Sequence, residues 1–470
     1  MKPRARATSS GHRIGETVRT RLASIAKRAR RDKEAKFYSI NHLINNSTLR
    51  EAFRRLKNNA APGIDGKTKQ EYEENLEENL EDLLRRLKSD SYHPTPVRRA
   101  HIPKGNGATR PLGIPVIEDK IMQTAMVIVM ESVYEEDFLP CSFGFRPGKS
   151  CHDALKNLSQ DIGTKRINYV VDADIRGYFN HVDHEWLMKF IEHRITDGKI
   201  LRNIKRMLKA GVMEAGEYQK TEAGVPQGGS ISPLLANIYL HYVLDLWFEK
   251  VVIKTCKGEA CLTRYADDFV ACFQYEQDAR RYYEQLKQRL AKFGLEIAEE
   301  KTRIIEFGRY AAQNAKRQGK RKPETFEFLG FTHYMGKTRK KGRYKLKWKT
   351  SRKRLTKKVK EVGKWLKENR HRSIPELWEE VNQKLRGHYQ YYGVSDNSKA
   401  LYTYRWLVVG LLYKWLNRRS QRNNLNWKKF KQLQKHYPLA KPKKLFDLNP
   451  VFARRGSCGE PDALTGQVRF

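Results

Sequence analysis

The chain has 470 residues, with 93 Lys or Arg against 53 Asp or Glu, which gives a formal net charge of +40. This excess indicates a polyanionic partner such as nucleic acid, because each neutralised phosphate releases a counterion; a merely very soluble or lipid-adhering protein is the disfavoured alternative. The composition excludes a membrane-spanning protein, since no apolar run approaches ~20 residues, and the six cysteines, with no CxxC pair, argue against a disulfide framework or zinc site.

The N-terminal segment, residues 1–36, is rich in Arg and poor in acids. Basic RNA-binding arms and organellar transit peptides share this composition. The charge of the whole chain favours the arm, and with it a bacterial cytoplasmic location over an organellar one.

Hydrophobic periodicity and turn residues predict the next elements in chain order. Helices are predicted over 48–57, 70–88, 118–134, 184–194 and 277–293. Extended backbone is predicted over 92–102, before a hairpin turn at 104–107, and again over 168–175 and in two short strands within 263–272. Strands and helices do not alternate as regularly as in a doubly wound sheet, which predicts an α+β fold.

The composition changes near residue 336. Residues 337–372 hold eighteen Lys or Arg and two acids, and helical patterns follow. Ser373 to Glu376 has the form of a capping box with proline just inside the helix, and Asn397 or Ser398 can cap the next helix. We expect a separate, basic, helical domain here.

The string Tyr265-Ala266-Asp267-Asp268 lies between apolar residues. Adjacent carboxylates in an apolar strand pair are costly to bury unless a cation or donor meets them. Mg²⁺ prefers oxygen ligands and takes one or two carboxylates together with substrate phosphates. Taken alone, this string is equally compatible with an ordinary hairpin turn whose acids are solvated.

Two further strings lie upstream. An apolar strand over 169–173 ends in a third carboxylate, Asp174. The Gly-rich loop 224–233 permits close approach to a nucleotide, and Ser232-Pro233 can begin a helix.

These strings resemble the polymerase blocks of reverse transcriptases, specifically of the group II intron reverse transcriptase/maturases. Further blocks that carry the resemblance are 110–115, 142–148, 294–302 and 328–331. The resemblance covers roughly residues 37 to 450 in the family's order. It implies a right-hand polymerase, with an antiparallel sheet in fingers and palm, followed by an all-helical thumb. The implied domains are an N-terminal arm (1–36), an extension with the start of the fingers (37–100), fingers and palm (101–335), a thumb or maturase domain (336–450) and a tail (451–470).

The resemblance also implies a metal site. Asp174, Asp267 and Asp268 match the catalytic triad that holds two Mg²⁺ ions, for which Mn²⁺ can substitute, and the backbone carbonyl of Ile175 is a further ligand. Asp172 would share the strand face of Asp174, but the family's motif places the ligand at Asp174. We therefore expect a supporting role for Asp172.

Other residues match nucleotide contacts. Lys104 and Arg110 match finger residues that close over the triphosphate, Phe179 matches the steric gate against a 2′-hydroxyl, and Gln227 lies beside the incoming nucleotide. Their alternatives are a solvated basic hairpin, core packing and a loop amide bonded to its own backbone. Expected nucleic-acid contacts are Arg146, Lys301, Arg352, Lys353 and Arg354.

The segment 387–393, Gly-His-Tyr-Gln-Tyr-Tyr-Gly, resembles a recurring aromatic block of the maturase domain. For most of these rings we expect helix packing rather than base stacking. The surrounding Lys and Arg would grip RNA by its phosphates and A-form shape.

The expected function is RNA-directed DNA polymerisation combined with binding of group II intron RNA, which promotes splicing and retrotransposition. The implied partners are that RNA, an RNA template with its DNA primer, a DNA target and dNTPs, with no membrane; a dimer is left open. Nothing after residue 420 resembles an HNH endonuclease, which implies priming from nascent DNA ends. A binding-only maturase and a domesticated reverse transcriptase of host defence or DNA repair are the alternatives.

Overall fold

The computed structural model describes residues 16–103, 109–214, 217–220, 223–225, 227–338, 344–419 and 425–450. Lys104 with its predicted turn, and the tail 451–470, lie outside these ranges. The helices of the described part are α1 (Glu16–Arg31), α2 (Asn46–Arg55), α3 (Lys69–Glu73), α4 (Leu76–Lys88), α5 (Ile117–Asp137), α6 (Cys151–Thr164), α7 (His184–Glu192), α8 (Gly198–Lys209), α9 (Ser232–Leu240), α10 (Ile253–Thr255), α11 (Glu276–Lys292), α12 (Ala311–Arg317), α13 (Arg352–Asn369), α14 (Ile374–Tyr392), α15 (Ser398–Leu416) and α16 (Trp427–His436).

The strands of the same residues form three sheets, and the predicted α+β class is confirmed. The strands are β1 (Val97–Pro103), β2 (Thr109–Ile114), β3 (Tyr169–Asp174), β4 (Val212–Glu214), β5 (Glu217–Gln219), β6 (Ala260–Tyr265), β7 (Asp268–Phe273), β8 (Arg303–Glu306), β9 (Phe326–Phe328), β10 (Phe331–Lys337) and β11 (Tyr344–Thr350).

The central sheet has the order β6-β7-β3-β8, with every pair antiparallel. Its two faces meet different hydrophobic cores. Val171 and Ala173 of β3 face the core built with α5, α7 and α9, whereas Val170 faces the core shared with the C-terminal helices. Burial on both faces explains why these strands read as continuous apolar runs.

The second sheet has the order β2-β1-β4-β5. It is antiparallel except for β1 and β4, which run parallel and join Val97 to Val212. Helix α5 follows β2 in the chain; thirteen of its 21 residues are buried, among them Asp119, Lys120 and Gln123. Even so, none of the described helices combines the length and the apolar character that crossing a bilayer requires.

The N-terminal helix α1 packs on α5. Ala29 is fully buried there, and Arg30 forms an ion pair with Glu136 at 2.7 Å. The described part of the basic arm is therefore a helix docked on α5.

The third sheet, β11-β10-β9, packs with α13 to α16 around the second core. Trp348 of β11 and Trp378 of α14 are almost fully buried in it. Residue 336, the expected boundary of the helical domain, lies inside β10. The basic stretch that follows is first a strand and only then a helix.

Three local expectations differ from the structure. The helix predicted over 70–88 is divided into α3 and α4, because Asn75 leaves the helical conformation at φ −122° and ψ 41°. Ser373 begins α14 without a side-chain cap, since Pro375 removes one of the donors that it would bond. Asn397 does precede α15, but its amide bonds Thr350 and the carbonyl of Tyr392 instead.

Candidate active site

A two-residue turn connects the strands that carry the paired acids. Tyr265 pairs with Asp268, so Ala266 and Asp267 form the tip of the β6–β7 hairpin. Ala266 has a φ of +58°. A residue with a Cβ pays about 1–3 kcal/mol for such a conformation and keeps it only when its surroundings impose it.

Gly144 packs directly on this turn. A Cβ at residue 144 would lie 2.2 Å from the backbone nitrogen of Ala266, so only glycine allows the approach. The carbonyl of Gly144 accepts a hydrogen bond from Asn237 at 2.7 Å, and the neighbouring Phe143 N–H donates to the carbonyl of Arg264 at 2.9 Å.

Arg264, next to the turn, is fully buried and all its N–H donors are used. It binds both carboxylate oxygens of Asp245 at 2.7 and 2.5 Å. It also donates to Asn237, to Ser142 and to the carbonyl of Ala266, at 2.7 to 3.0 Å. These hydrogen bonds hold the strand residues next to the turn in place. The sequence did not lead us to this network. An arginine inside an apolar strand was the available signal, because a buried guanidinium requires a partner.

The three acids of the expected triad lie together. Asp174 is the last residue of β3 and pairs directly with Asp268, the first residue of β7. Residues paired in this way have Cα atoms about 4.5–5.5 Å apart. Asp267 precedes Asp268 at the turn, so carboxylates nearly a hundred residues apart in sequence meet at one sheet edge.

Burial raises the pKa of two acids in this cluster and of Asp172 beside them. The pKa of Asp268 is raised to about 7, first by burial and then by the charges of Asp172 and Asp267. Burial also raises the pKa of Asp267, to which Asp174 adds, and raises that of Asp172 to about 6. These carboxylates repel one another in a partly desolvated site, so a bound cation would stabilise their charged forms.

Cationic side chains neutralise only part of this negative charge. Lys301 lies 2.6 Å from Asp174, and Arg303 lies 3.8 Å from Asp172. Arg110 lowers the pKa of Asp267 by its charge. The carboxylate of Asp268 accepts a hydrogen bond from the backbone N–H of Leu329.

The donor set suits a hard divalent cation, because it consists of carboxylate oxygens with unmet negative charge. Within the described residues, no group of three or more His, Cys, Asp or Glu is spaced to hold a metal without rearrangement. A Mg²⁺ ion that takes most of its ligands from phosphates and water does not need a complete protein cage. The backbone N–H of Ala298 donates to the carbonyl of Asp174 at 2.8 Å, and not to that of Ile175, the carbonyl expected to bind metal.

A cavity of about 240 Å³ is lined by Phe179 and Gln227, and by Pro111, which follows Arg110 in β2. The Gly113 N–H donates to the carbonyl of Gln227 at 2.7 Å, which ties strand β2, and with it Arg110, to the Gly-rich loop. Gly228 has a φ of +118°, and a Cβ there would lie 2.6 Å from the carbonyl oxygen of Gly113. The cavity also contains Arg99 and Asn180, which the sequence reasoning did not select.

Phe179 packs against a neighbouring ring and also lines the cavity. Its ring is half-buried against Tyr178, with centroids 5.3 Å apart, and its carbonyl accepts from the N–H of Val225. The same side chain lines the cavity.

Arg146, expected to contact nucleic acid, is placed otherwise by the structure. It is 9% exposed and donates to Glu135 at 3.0 Å and to the carbonyls of Leu139 and Ser142. Its guanidinium stabilises the loop before α6, so this expectation is corrected. Arg352, Lys353 and Arg354 are exposed on the first turn of α13.

Two family profiles match this chain. The profile for "Reverse transcriptase (RNA-dependent DNA polymerase)" matches residues 102–333, and that for "Group II intron, maturase-specific domain" matches residues 352–434. The chain belongs to the group II intron reverse transcriptase/maturase family. The resemblance stated from the sequence is thereby confirmed.

Relatives of the family carry matching regions. Protein YkfC of Escherichia coli K12 is 38% identical over 237 residues, which are 44% of this chain and 62% of YkfC. The group II intron-encoded protein LtrA of Lactococcus lactis is 46% identical over 175 residues, 36% of this chain and 29% of LtrA. An uncharacterised 91 kDa protein in the cob intron of Schizosaccharomyces pombe is 31% identical over 250 residues, 52% of this chain and 30% of that protein. The chain thus matches only part of the length of these relatives.

Proposed function

We propose that this protein is an RNA-directed DNA polymerase whose active site is the cluster of Asp174, Asp267 and Asp268. The observation that carries the proposal is the direct pairing of Asp174 with Asp268 beneath a strained, buttressed turn. Two Mg²⁺ ions bound there would activate the primer 3′-hydroxyl and stabilise the leaving pyrophosphate.

The surrounding residues would position the nucleotide. Arg110, near Asp267, would contact the triphosphate in bidentate fashion together with Lys104. Phe179 and Gln227, which line one cavity, would contact the sugar and base, with Phe179 excluding a 2′-hydroxyl. Lys301 would neutralise Asp174 until a metal cation replaces it there.

The proposed partner of the C-terminal helices is group II intron RNA, whose splicing and mobility the protein would promote. Support comes from the match to the maturase-specific domain and from α13, which carries eight Lys or Arg and two Glu. A helix that begins with three cations opposes its own dipole, and phosphates would relieve that repulsion. Because YkfC and LtrA are bacterial proteins, we place this chain in a bacterial cytoplasm.

The test is primer extension on an RNA template with dNTPs and Mg²⁺. We expect Asp267→Asn to lower the rate of incorporation by about a hundredfold or more, because a metal ligand is lost while the side-chain volume is kept. The exposed Glu74→Gln removes the same charge elsewhere and should retain full activity.

RNA affinity measured on the same proteins separates the two proposed activities. Asp267→Asn should bind RNA as tightly as the wild type. If the wild type and this variant incorporate equally little dNTP while both bind RNA, the protein is a binding-only maturase.

A further inference from the structure

A second cavity, of about 440 Å³, lies among α13, α14 and α15. Its size is within the range of small-ligand sites. It is lined by residues of the aromatic block, including His388 and Tyr392, and by Tyr404 of α15. The active-site acids do not line it.

His388 is the polar group inside this cavity. It is only 6% exposed, and neither of its ring nitrogens has a hydrogen-bond partner among the described residues. Its ring stacks on Tyr404, with centroids 3.8 Å apart and planes 24° apart, and lies 4.6 Å from the ring of Tyr392. Buried polar atoms are normally paired, so this pair of nitrogens indicates a missing ligand.

The protonation state of His388 limits what that ligand can be. Burial, followed by the charge of Lys358, lowers the pKa of His388 to about 4. At neutral pH the ring is uncharged and offers one donor and one acceptor. The neutral imidazole itself offers an anion no positive charge, whereas the edge of a nucleobase carries donors and acceptors that match it.

Gly387 lies beside His388, in the interior of α14. Glycine weakens a helix relative to alanine, and close helix packing usually explains its presence. Here a Cβ would meet no atom within 4 Å. The glycine is exposed and lines the cavity, so its missing side chain keeps the mouth open.

The positive charges of the lining belong to two lysine side chains. Lys358 is exposed and pairs with Glu361 at 2.9 Å, and Lys384 lies over the ring of Trp365 at 4.3 Å. Both lysines line the cavity. This arrangement suits a ligand with a neutral planar head and an anionic backbone.

We propose that this cavity receives one unpaired base of a bound RNA, extruded from its helix, while the adjoining phosphates lie along α13. The base would stack on the aromatic wall and bond the His388 ring. The inference rests on the proposed RNA binding and assigns one point of contact within it.

The probes are three RNA duplexes of equal length: one with a single bulged 2-aminopurine, one with an abasic bulge and one fully paired. We expect the wild-type protein to bind the first about tenfold more tightly than the second, because stacking of one base on aromatic side chains contributes about that much affinity. Quenching of 2-aminopurine fluorescence should accompany binding.

Three variants test the location. Gly387→Leu fills the mouth and should abolish the preference for the bulged base, whereas Gly410→Leu, at an equally open helical glycine outside the cavity, should keep it. His388→Phe keeps stacking but removes the unpartnered nitrogens, so it should raise the unfolding temperature while reducing the preference.

The outcomes are distinguishable. Equal affinity of the wild type for bulged and abasic RNA would overturn this inference while leaving the proposed RNA binding intact. An equal effect of Gly387→Leu on all three duplexes would also overturn it, because the mouth would then contact only the backbone. Failure to bind any duplex would overturn both.

Discussion

At the scale of single residues, the catalytic proposal depends on the positive φ of Ala266, a backbone conformation that alanine adopts only under constraint. Ala266 is held at positive φ by Gly144, which approaches its nitrogen, and by Arg264, which binds its carbonyl. The carboxylate positions of Asp267 and Asp268 follow from that turn. Residues that never contact substrate therefore position the acids.

Gly144→Ala should lower polymerase activity by about a hundredfold, because displacing a catalytic group by about 1 Å has an effect of that size. The added methyl would lie 2.2 Å from the nitrogen of Ala266 and displace the turn. Primer extension measures the loss, and thermal unfolding shows whether the fold persists. Gly198→Ala, where a Cβ meets nothing within 4 Å, is the matched control and should remain active. Full activity of Gly144→Ala would contradict the proposed support of the turn.

At the scale of elements, the β9–β10–β11 sheet lies between the central sheet and the C-terminal helices. His333 of β10 is fully buried, stacks on Phe326 at 4.6 Å, and its Nδ1 lies 3.2 Å from the carbonyl oxygen of Phe331. Burial lowers its pKa to about 3. Burial therefore favours a neutral imidazole at this position in the sheet.

This predicts a pH-dependent stability. The pKa of His333 is lower in the folded than in the unfolded chain, so its contribution is complete above about pH 6.5 and is lost as the pH falls towards 3. At about pH 4.5 the linked loss would be about 3 kcal/mol. His333→Phe removes it, so the free energy of unfolding, measured by denaturant titration, should fall less steeply between pH 6.5 and 4.5. Parallel pH curves for the two proteins would refute the assignment.

At the scale of the whole molecule, charge dominates. A net charge of +40 opposes compaction unless a polyanion is bound, and the exposed cations of α13 are concentrated where the helix dipole is already positive. We attribute this arrangement to contacts with phosphates.

RNA affinity should therefore fall steeply with salt, and replacing Arg352, Lys353 and Arg354 with Gln should reduce the slope of log Kd against log salt by about two to three. Replacing three exposed cations near α12 changes the net charge equally and should reduce the slope less; these are Lys316, Arg317 and Lys320. Filter-binding titrations at several salt concentrations measure both. Equal slopes for the two triple variants would show that only net charge matters.

The sequence alone determined the α+β class and the family, and it singled out the acids that the structure places together. Apolar periodicity, composition and the order of short motifs are properties of neighbouring residues, so they can be recognised without a fold. The basic character of the C-terminal part was determined in the same way, although the edge of that part was not, because residue 336 lies inside β10.

Only the tertiary structure decided how distant segments meet. The pairing of Asp174 with Asp268, the burial of Arg146 against Glu135 and the enclosure of Arg264 by Asp245 all depend on strand register and loop packing. A shift of one residue in register would turn each strand side chain to the opposite face. Local sequence does not specify such long-range contacts, and the helix packing that it predicted for most rings of the aromatic block gave no sign of the cavity that they line.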